Sequence, residues 1–254
     1  MSFFSTNTVA KGYSKDRPYL HPEIIQRIKS RLNLSEKVEW ALDVGCGAGL
    51  STIALKEVAV NIVGVDSSEL MIHSAIKDDN VEYFNYPAEH LPFSRKFDII
   101  TLAGAINWVD RSKFFSEAKN ILSDEGIVIV YDIYILGTME ENSKFEAWYM
   151  NEYLKKYPRP PRDESPITNE EAIKYGFGRI DTEDCTSKVK FTSENYIKYM
   201  FTQSNITTAL NKQEEGHNEI RKWFSSYIDP FFGASEKTLI FGGYIWYLKN
   251  DYQT

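Results

Sequence analysis

The chain has 254 residues, 43% of them hydrophobic, enough apolar material for a sizeable core, and no Gly/Ser-rich or charge-rich linker interrupts it. A net charge of −7 argues against a broad phosphate-binding surface, because nonspecific nucleic-acid affinity rests on clustered Lys and Arg. Cys46 and Cys185 are too few for a disulfide framework, and His21, His73, His90 and His217 are scattered singly as surface or helix residues, so no metal site is expected.

No stretch approaches 18 apolar residues and the first residues carry no charged-then-apolar leader, so a cytoplasmic protein without membrane contact is expected. Small molecules or proteins are the expected partners, no nucleic acid is expected, and the oligomeric state is left open.

Residues 1–20 are polar and aromatic without a sustained period, and by themselves read as a surface arm with a turn at Pro18. Pro22 to Leu32 has helical spacing, with Ile24, Ile25, Ile28 and Leu32 on one face. Trp40 to Val44 reads as the first strand. It enters Gly45-Cys46-Gly47-Ala48-Gly49, and Ser51 to Glu57 is helix-compatible. A strand, a glycine turn and a helix bring backbone N–H groups close to a bound nucleotide, and a Cβ would block either the turn or the ligand. Gly49-Leu50-Ser51 has no lysine for a P-loop, and Leu50 stands where a dinucleotide fingerprint wants Gly or Ala. The loop therefore suits an adenosine ligand lacking a phosphate.

Val60 to Asp66 is a β-branched second strand ending in an acid 17 residues past Gly49, close to the roughly 20-residue offset at which a carboxylate reaches a ribose diol. Asp66 could equally cap the helix that starts near Ser67 or Ser68. That helix carries Leu70, Met71 and Ile76, and a third strand spans Val81 to Tyr86. Phe97 to Ala103 is a near-continuous apolar run, as expected of a central strand covered on both faces. Its carboxyl end, Leu102 to Trp108, is expected opposite the glycine loop at the topological switch point. Trp108 either lines a pocket or staples the next helix, Arg111 to Leu122.

Ser123-Asp124-Glu125-Gly126 reads as a turn before the fifth strand, Ile127 to Tyr131. Met139 to Tyr157 is expected to be helical and is rich in aromatics; Pro158-Arg159-Pro160-Pro161-Arg162 breaks it, either as a solvent-exposed loop or as an acid-binding one. Arg179 to Phe191 is expected to hold the sixth strand, Ser193 to Phe201 and Glu214 to Tyr227 two helices, and Leu239 to Leu248 the last strand.

Asp43 to Gly49, Val63-Gly64-Val65-Asp66-Ser67-Ser68-Glu69-Leu70-Met71, Ala88-Glu89-His90-Leu91-Pro92-Phe93 and Phe97-Asp98-Ile99-Ile100 together resemble the class I S-adenosylmethionine-dependent methyltransferases (methyltransferase type 11), in the family's order and spacing over residues 38–131. The resemblance implies an α/β fold with a Rossmann-like seven-stranded sheet, mostly parallel, whose last strand inserts antiparallel between the fifth and sixth. It implies a single domain over 1–254: an arm and helix at 1–32, a cofactor core at 38–132, substrate-cover insertions at 138–232 and the last strand at 238–249.

The implied cofactor is S-adenosyl-L-methionine, with S-adenosyl-L-homocysteine as product, held by Asp43, Gly45, Cys46, Gly47, Asp66, Ser67, Met71, Ala88, Glu89 and Leu102. In the family, the Asp43 position holds the methionine ammonium, Met71 lies against the adenine, and Ala88 and Glu89 meet the adenine edge; the plainer readings are a loop tie, a core methionine and a solvated acid. In the subgroup that includes trans-aconitate methyltransferase-like enzymes, a similar arm closes over cofactor and substrate, which makes Tyr13 and Arg17 substrate candidates beside Asn107 and Trp108. Related enzymes often carry histidine at the Asn107 position, so histidine-assisted proton transfer is not carried over, and no catalytic residue is assigned. The function implied is methyl transfer to a small molecule, foremost O-methylation of a carboxylate. The alternatives are a noncatalytic cofactor-binding module and a methyltransferase acting on RNA or protein.

Overall fold

A computed structural model describes residues 15–178, 180–213 and 215–250. Seven strands form one sheet: β1 (Val38–Val44), β2 (Ala59–Val65), β3 (Val81–Phe84), β4 (Phe97–Ala103), β5 (Leu122–Met139), β6 (Asp181–Phe191) and β7 (Lys237–Lys249), in the order β3-β2-β1-β4-β5-β7-β6. The pairs β1–β2, β1–β4, β2–β3 and β4–β5 are parallel. The Glu140 N–H donates to Thr238 O at 2.8 Å and the Asn250 N–H to Gly126 O at 3.2 Å, so β7 runs against β5, as the resemblance implies.

The chain separates into two compact units, one of Tyr19–Ile133, Arg162–Cys185 and the residues from Gly243 on, the other of Tyr134–Pro161, Thr186–Gly242 and the residues up to Pro18. In the first, both sheet faces are covered, which is why β1, β2 and β4 read as unbroken apolar runs. Leu42, Val44, Val65, Ile100 and Leu102 pack on one face with Phe114, Phe115 and Ile121 of the helix Arg111–Ile121. Ala41, Ile62, Ile99 and Ile129 pack on the other with Ile24, Ile25 and Ile28 of the helix His21–Arg31. Pro22 sits in the first turn of that helix, where a missing N–H costs nothing.

The second unit holds the helices Ser143–Trp148, Ser193–Met200, Ser204–Asn211 and His217–Phe232, and its core is aromatic. Trp148 stacks on Tyr153 at 6.0 Å, and Phe145 meets Tyr196 edge-on at 5.7 Å. The Tyr153 hydroxyl finds a buried partner in Asn205 Oδ1 at 2.9 Å.

Several expected bounds shift. Ser123–Gly126 lies within the span of β5, yet Phe97 pairs with Leu122 while Ile99 pairs with Ile127, so these four residues bulge from the ladder. Met139 ends β5 rather than starting a helix; helical structure begins at Ser143 and passes through a π-turn at Tyr149–Tyr153. The third strand stops at Phe84, and the helix expected from Glu214 spans His217–Phe232. The helices Asn169–Lys174 and Ser204–Asn211 were not expected.

One buried charge ties this framework together. Asp43, fully buried near the end of β1, accepts from Ser51 Oγ (2.6 Å) and Thr52 Oγ1 (2.7 Å) on one carboxylate oxygen and from Thr101 Oγ1 (3.0 Å) on the other. Ser51 and Thr52 belong to the short helix Leu50–Ala54 and Thr101 to β4, so a single carboxylate fixes both flanks of the glycine turn. Burial pushes its carboxyl from an ordinary value near 3.8 up to about 6, while the three hydroxyls pull it down. Because the folded chain then holds this proton more tightly than the unfolded chain, stability falls as pH rises from about 4 to about 6, by on the order of 3 kcal/mol. Urea unfolding across that window should show a slope in the wild type that Asp43→Asn lacks; parallel profiles for the two would refute the assignment.

Candidate functional site

The turn after β1 is built on left-handed backbone, with Gly45, Gly47 and Gly49 at φ 71°, 53° and 87°. A Cβ on Gly45 would come 2.6 Å from the Ala105 Cβ, whereas beside Gly47 nothing lies within 4 Å. The space along the Gly47 backbone is therefore open, the property a loop needs if a ligand is to approach its main chain. The Gly45 and Cys46 N–H groups both donate to Val65 O, at 2.8 and 3.0 Å, which locks the turn to the end of β2. Cys46 is buried, and its thiol is pushed well up by burial and by the nearby Asp43 and Asp66 carboxylates, so it is an inert packing residue rather than a nucleophile.

Asp66 is not the cap of the following helix, a place Ser68 takes: its Oδ1 accepts the Ser68 N–H at 2.8 Å, and its Oδ2 accepts the Gly47 N–H at 2.9 Å, facing the glycine turn. Burial pushes this carboxyl up, and the two backbone bonds oppose the shift. Asn85 donates to the Asp66 carbonyl at 2.8 Å and fixes the strand end from outside. Ser67 is exposed beside it, and Ser68 caps the helix Glu69–Ser74, which places Met71 in the buried layer.

Other candidates stand differently. The Asp43 carboxylate is spent on three hydroxyls rather than on loop amides, so it acts on the turn by holding it. Glu89, half-buried, has an internal partner: its Oε1 accepts the Asp110 N–H at 2.8 Å and bridges to the start of the helix Arg111–Ile121. Ala88 is buried beside it. The Leu102 side chain belongs to the sheet core with Val44 and Val130, leaving only its backbone for a site.

Asn107 and Trp108 lie half-buried on a single 3₁₀ turn just after β4. The Arg162 guanidinium sits 5.7 Å from the centre of the Trp108 ring and bonds Glu164 at 2.6 Å, so Arg162 is not the solvent-exposed loop arginine expected. Arg17 donates to the Thr202 hydroxyl (3.2 Å) and carbonyl (3.1 Å), and Tyr13 lies outside the described residues.

The sequence reading missed the hydroxyls of Ser51, Thr52 and Thr101, and it missed a pair involving His21. His21 Nδ1 and the Tyr131 hydroxyl share a hydrogen bond of 2.9 Å; the phenol is buried midway along β5, and burial together with Asp43 pushes it well up, so it stays protonated. His90, by contrast, is exposed. Among the described residues no group of three or more His, Cys, Asp or Glu side chains could hold a metal ion, and no helix is long and apolar enough to cross a membrane.

Comparisons with known proteins agree with this geometry. Residues 42–130 match the family described as methyltransferase domain. A methyltransferase-family protein of Dictyostelium discoideum is 31% identical over 136 residues, 53% of this chain and 51% of the relative. A protein of Saccharomyces cerevisiae, named for S-adenosylmethionine-dependent methyl transfer, is 24% identical over 170 residues, 61% of this chain and 57% of the relative. The chain thus spans about half the length of these curated relatives. A methyltransferase-family structure from Anaeromyxobacter dehalogenans superposes with a TM-score of 0.64 at 19% identity, covering 84% of this chain and 89% of that one, a likeness of fold. Residues 42–130 thus match a methyltransferase domain, and the strand order, with its open glycine turn and Asp66 just after β2, gives the Rossmann-like sheet that the matched methyltransferase structure shares.

Proposed function

We propose that this chain methylates a small molecule, with a carboxylate oxygen as the accepting atom. The observation that carries the cofactor half of this reading is the open backbone at Gly47 facing the Asp66 carboxylate. Asp66 would exchange its bond to the Gly47 N–H for the ribose hydroxyls, while Asp43 holds the turn in register. Met71, Ala88 and the Leu102 backbone would line the remaining cofactor surface, with Ser67 and Glu89 at its edge.

When bound, S-adenosylmethionine supplies a methyl group on an already activated sulfonium, so the protein's task is alignment and exclusion of water. A carboxylate acceptor is ionised at pH 7 and asks for no base. That suits a site where Tyr131 stays protonated, His90 is exposed and Asn107 stands where relatives often have histidine. We place acceptor contacts at Asn107 and Trp108, and substrate selection in residues 138–232 with Tyr13 and Arg17, in the manner of the trans-aconitate methyltransferase-like subgroup.

Calorimetric titration with S-adenosylmethionine and S-adenosylhomocysteine should give one site for each. Asp66→Ala should weaken both by roughly 1–3 kcal/mol, about five- to 150-fold. Gly47→Val should abolish binding in a chain that keeps its circular dichroism. A folded wild type that binds neither nucleotide would overturn the cofactor assignment. Incubation with S-adenosylmethionine and a panel of small mono-, di- and tricarboxylic acids should yield a product heavier by one methylene and lost on mild alkaline hydrolysis, as a methyl ester is. An alkali-stable product on a phenol or amine would refute the carboxylate reading and leave the cofactor reading intact. Trp108→Ala should raise the acceptor KM with cofactor affinity unchanged; an altered cofactor dissociation constant would count against its place on the acceptor side.

A further inference from the structure

Within the second unit, the tail of β5 and the segment after it enclose a cleft of about 370 Å³, lined by Tyr134, Leu136, Met150, Leu154 and Arg159 over a floor that includes Tyr149. That is the small end of the range typical of ligand sites, ~300–1,000 Å³. Three observations single it out.

The first is where apolar surface is left in water. Tyr134, Leu136 and Met150 are 40%, 41% and 53% exposed and share this one cleft, whereas the other large exposed apolar side chains, such as Val60 and Ile173, are dispersed. Large apolar side chains gathered at one exposed place mark a surface that something covers.

Backbone geometry is the second. Tyr149 and Met150 belong to the π-turn Tyr149–Tyr153, an irregularity found mostly at functional sites. The turn is held to the strand because Gly137, at φ 79°, presents bare backbone to the Tyr149 ring; a Cβ there would lie 2.6 Å from Tyr149 Cγ. Two departures from regular structure are thus spent on shaping one cavity.

Charge is the third. Arg159 is the one cation among the lining residues and none of them is acidic. Arg159 reaches the Tyr149 hydroxyl, whose proton burial holds tightly while the guanidinium works the other way.

We propose that this cleft is a binding site for a small amphipathic carboxylate, with its apolar body against Leu136, Met150 and Leu154 and its head on Arg159. Guanidinium and carboxylate form strong paired hydrogen bonds, and the apolar body accounts for the exposed wall. The site is formed entirely by residues 134–159, so its occupancy can be read without methyl transfer and does not depend on the function proposed above.

The test uses the full chain, decanoate as ligand and decanol as its uncharged counterpart, each titrated calorimetrically and by displacement of 1-anilinonaphthalene-8-sulfonate. Decanoate should bind at one site. Arg159→Gln should weaken decanoate about tenfold or more and leave decanol within about twofold. Lys155→Gln, which removes the same charge from an exposed neighbouring position, should behave as wild type. Leu136→Asp should abolish both ligands while circular dichroism and S-adenosylhomocysteine binding are kept. The proposal is overturned if wild type binds no decanoate, if Arg159→Gln leaves decanoate unchanged, if Lys155→Gln weakens it equally, or if folded Leu136→Asp still binds it.

Discussion

A fully buried carboxylate must be compensated on both oxygens, and the way Asp43 meets that demand organises the first unit. Its three hydroxyl partners come from the helix that follows the glycine turn and from the neighbouring strand β4. The turn between them is therefore anchored at both ends before any ligand arrives. A flexible glycine loop would lose binding energy to ordering on every encounter; one pinned through Ser51, Thr52 and Thr101, with its Gly45 and Cys46 N–H groups bonded to Val65 O, is ordered beforehand. Glycine supplies the shape, and the buried acid removes the freedom that glycine brings.

Asp66 works under the opposite constraint. It too is shielded enough for its carboxyl to be pushed up, but its partners are backbone N–H groups of Gly47 and Ser68 rather than hydroxyls locked in a core. The Ser68 bond is local and keeps the carboxylate oriented; the Gly47 bond is with the very loop whose outer side is open. Two acids at the carboxyl ends of adjacent strands thus hold the turn from different sides, Asp43 through hydroxyls of the following helix and β4, Asp66 through the Gly47 N–H itself.

What was legible in the sequence follows the range of the interaction. The spacing of Gly45, Gly47 and Asp66, and the apolar runs of β1, β2 and β4, are local patterns, and the structure places them as expected. Asp43 was visible as a residue but not as a knot, because Thr101 lies 58 residues away and no periodicity announces a hydroxyl partner. The partners of Glu89 and His21 were hidden for the same reason: the Asp110 N–H and the Tyr131 hydroxyl are 21 and 110 residues distant. The helix Asn169–Lys174 had a signal that was overlooked. Thr168 and Glu171 have capping-box spacing, and the Thr168 hydroxyl accepts the Glu171 N–H at 3.2 Å. At Met139 the aromatic spacing of Phe145, Trp148 and Tyr149 is helical, but the strand before it does not announce itself: Tyr134, Ile135 and Leu136 are all apolar, and only the fold buries Ile135 between exposed neighbours.

The two units also differ in how they spend their apolar residues, and this bears on specificity. In the first, Val, Ile, Leu and Ala side chains make up most of both faces of the strands, with rings such as Phe97, Phe114 and Phe115 among them. In the second, large rings carry the packing, and buried hydroxyls such as those of Tyr153 and Tyr157 are held by Asn205 and Glu215, while the Tyr196 hydroxyl is buried without such a bond. Rings fixed by such bonds are poor at collapsing into gaps, so a cleft beside them persists rather than closing. A substitution at the wall of that cleft, such as Leu136 or Met150, therefore reshapes it while the glycine turn held by Ser51, Thr52 and Thr101 in the first unit keeps its own bonds.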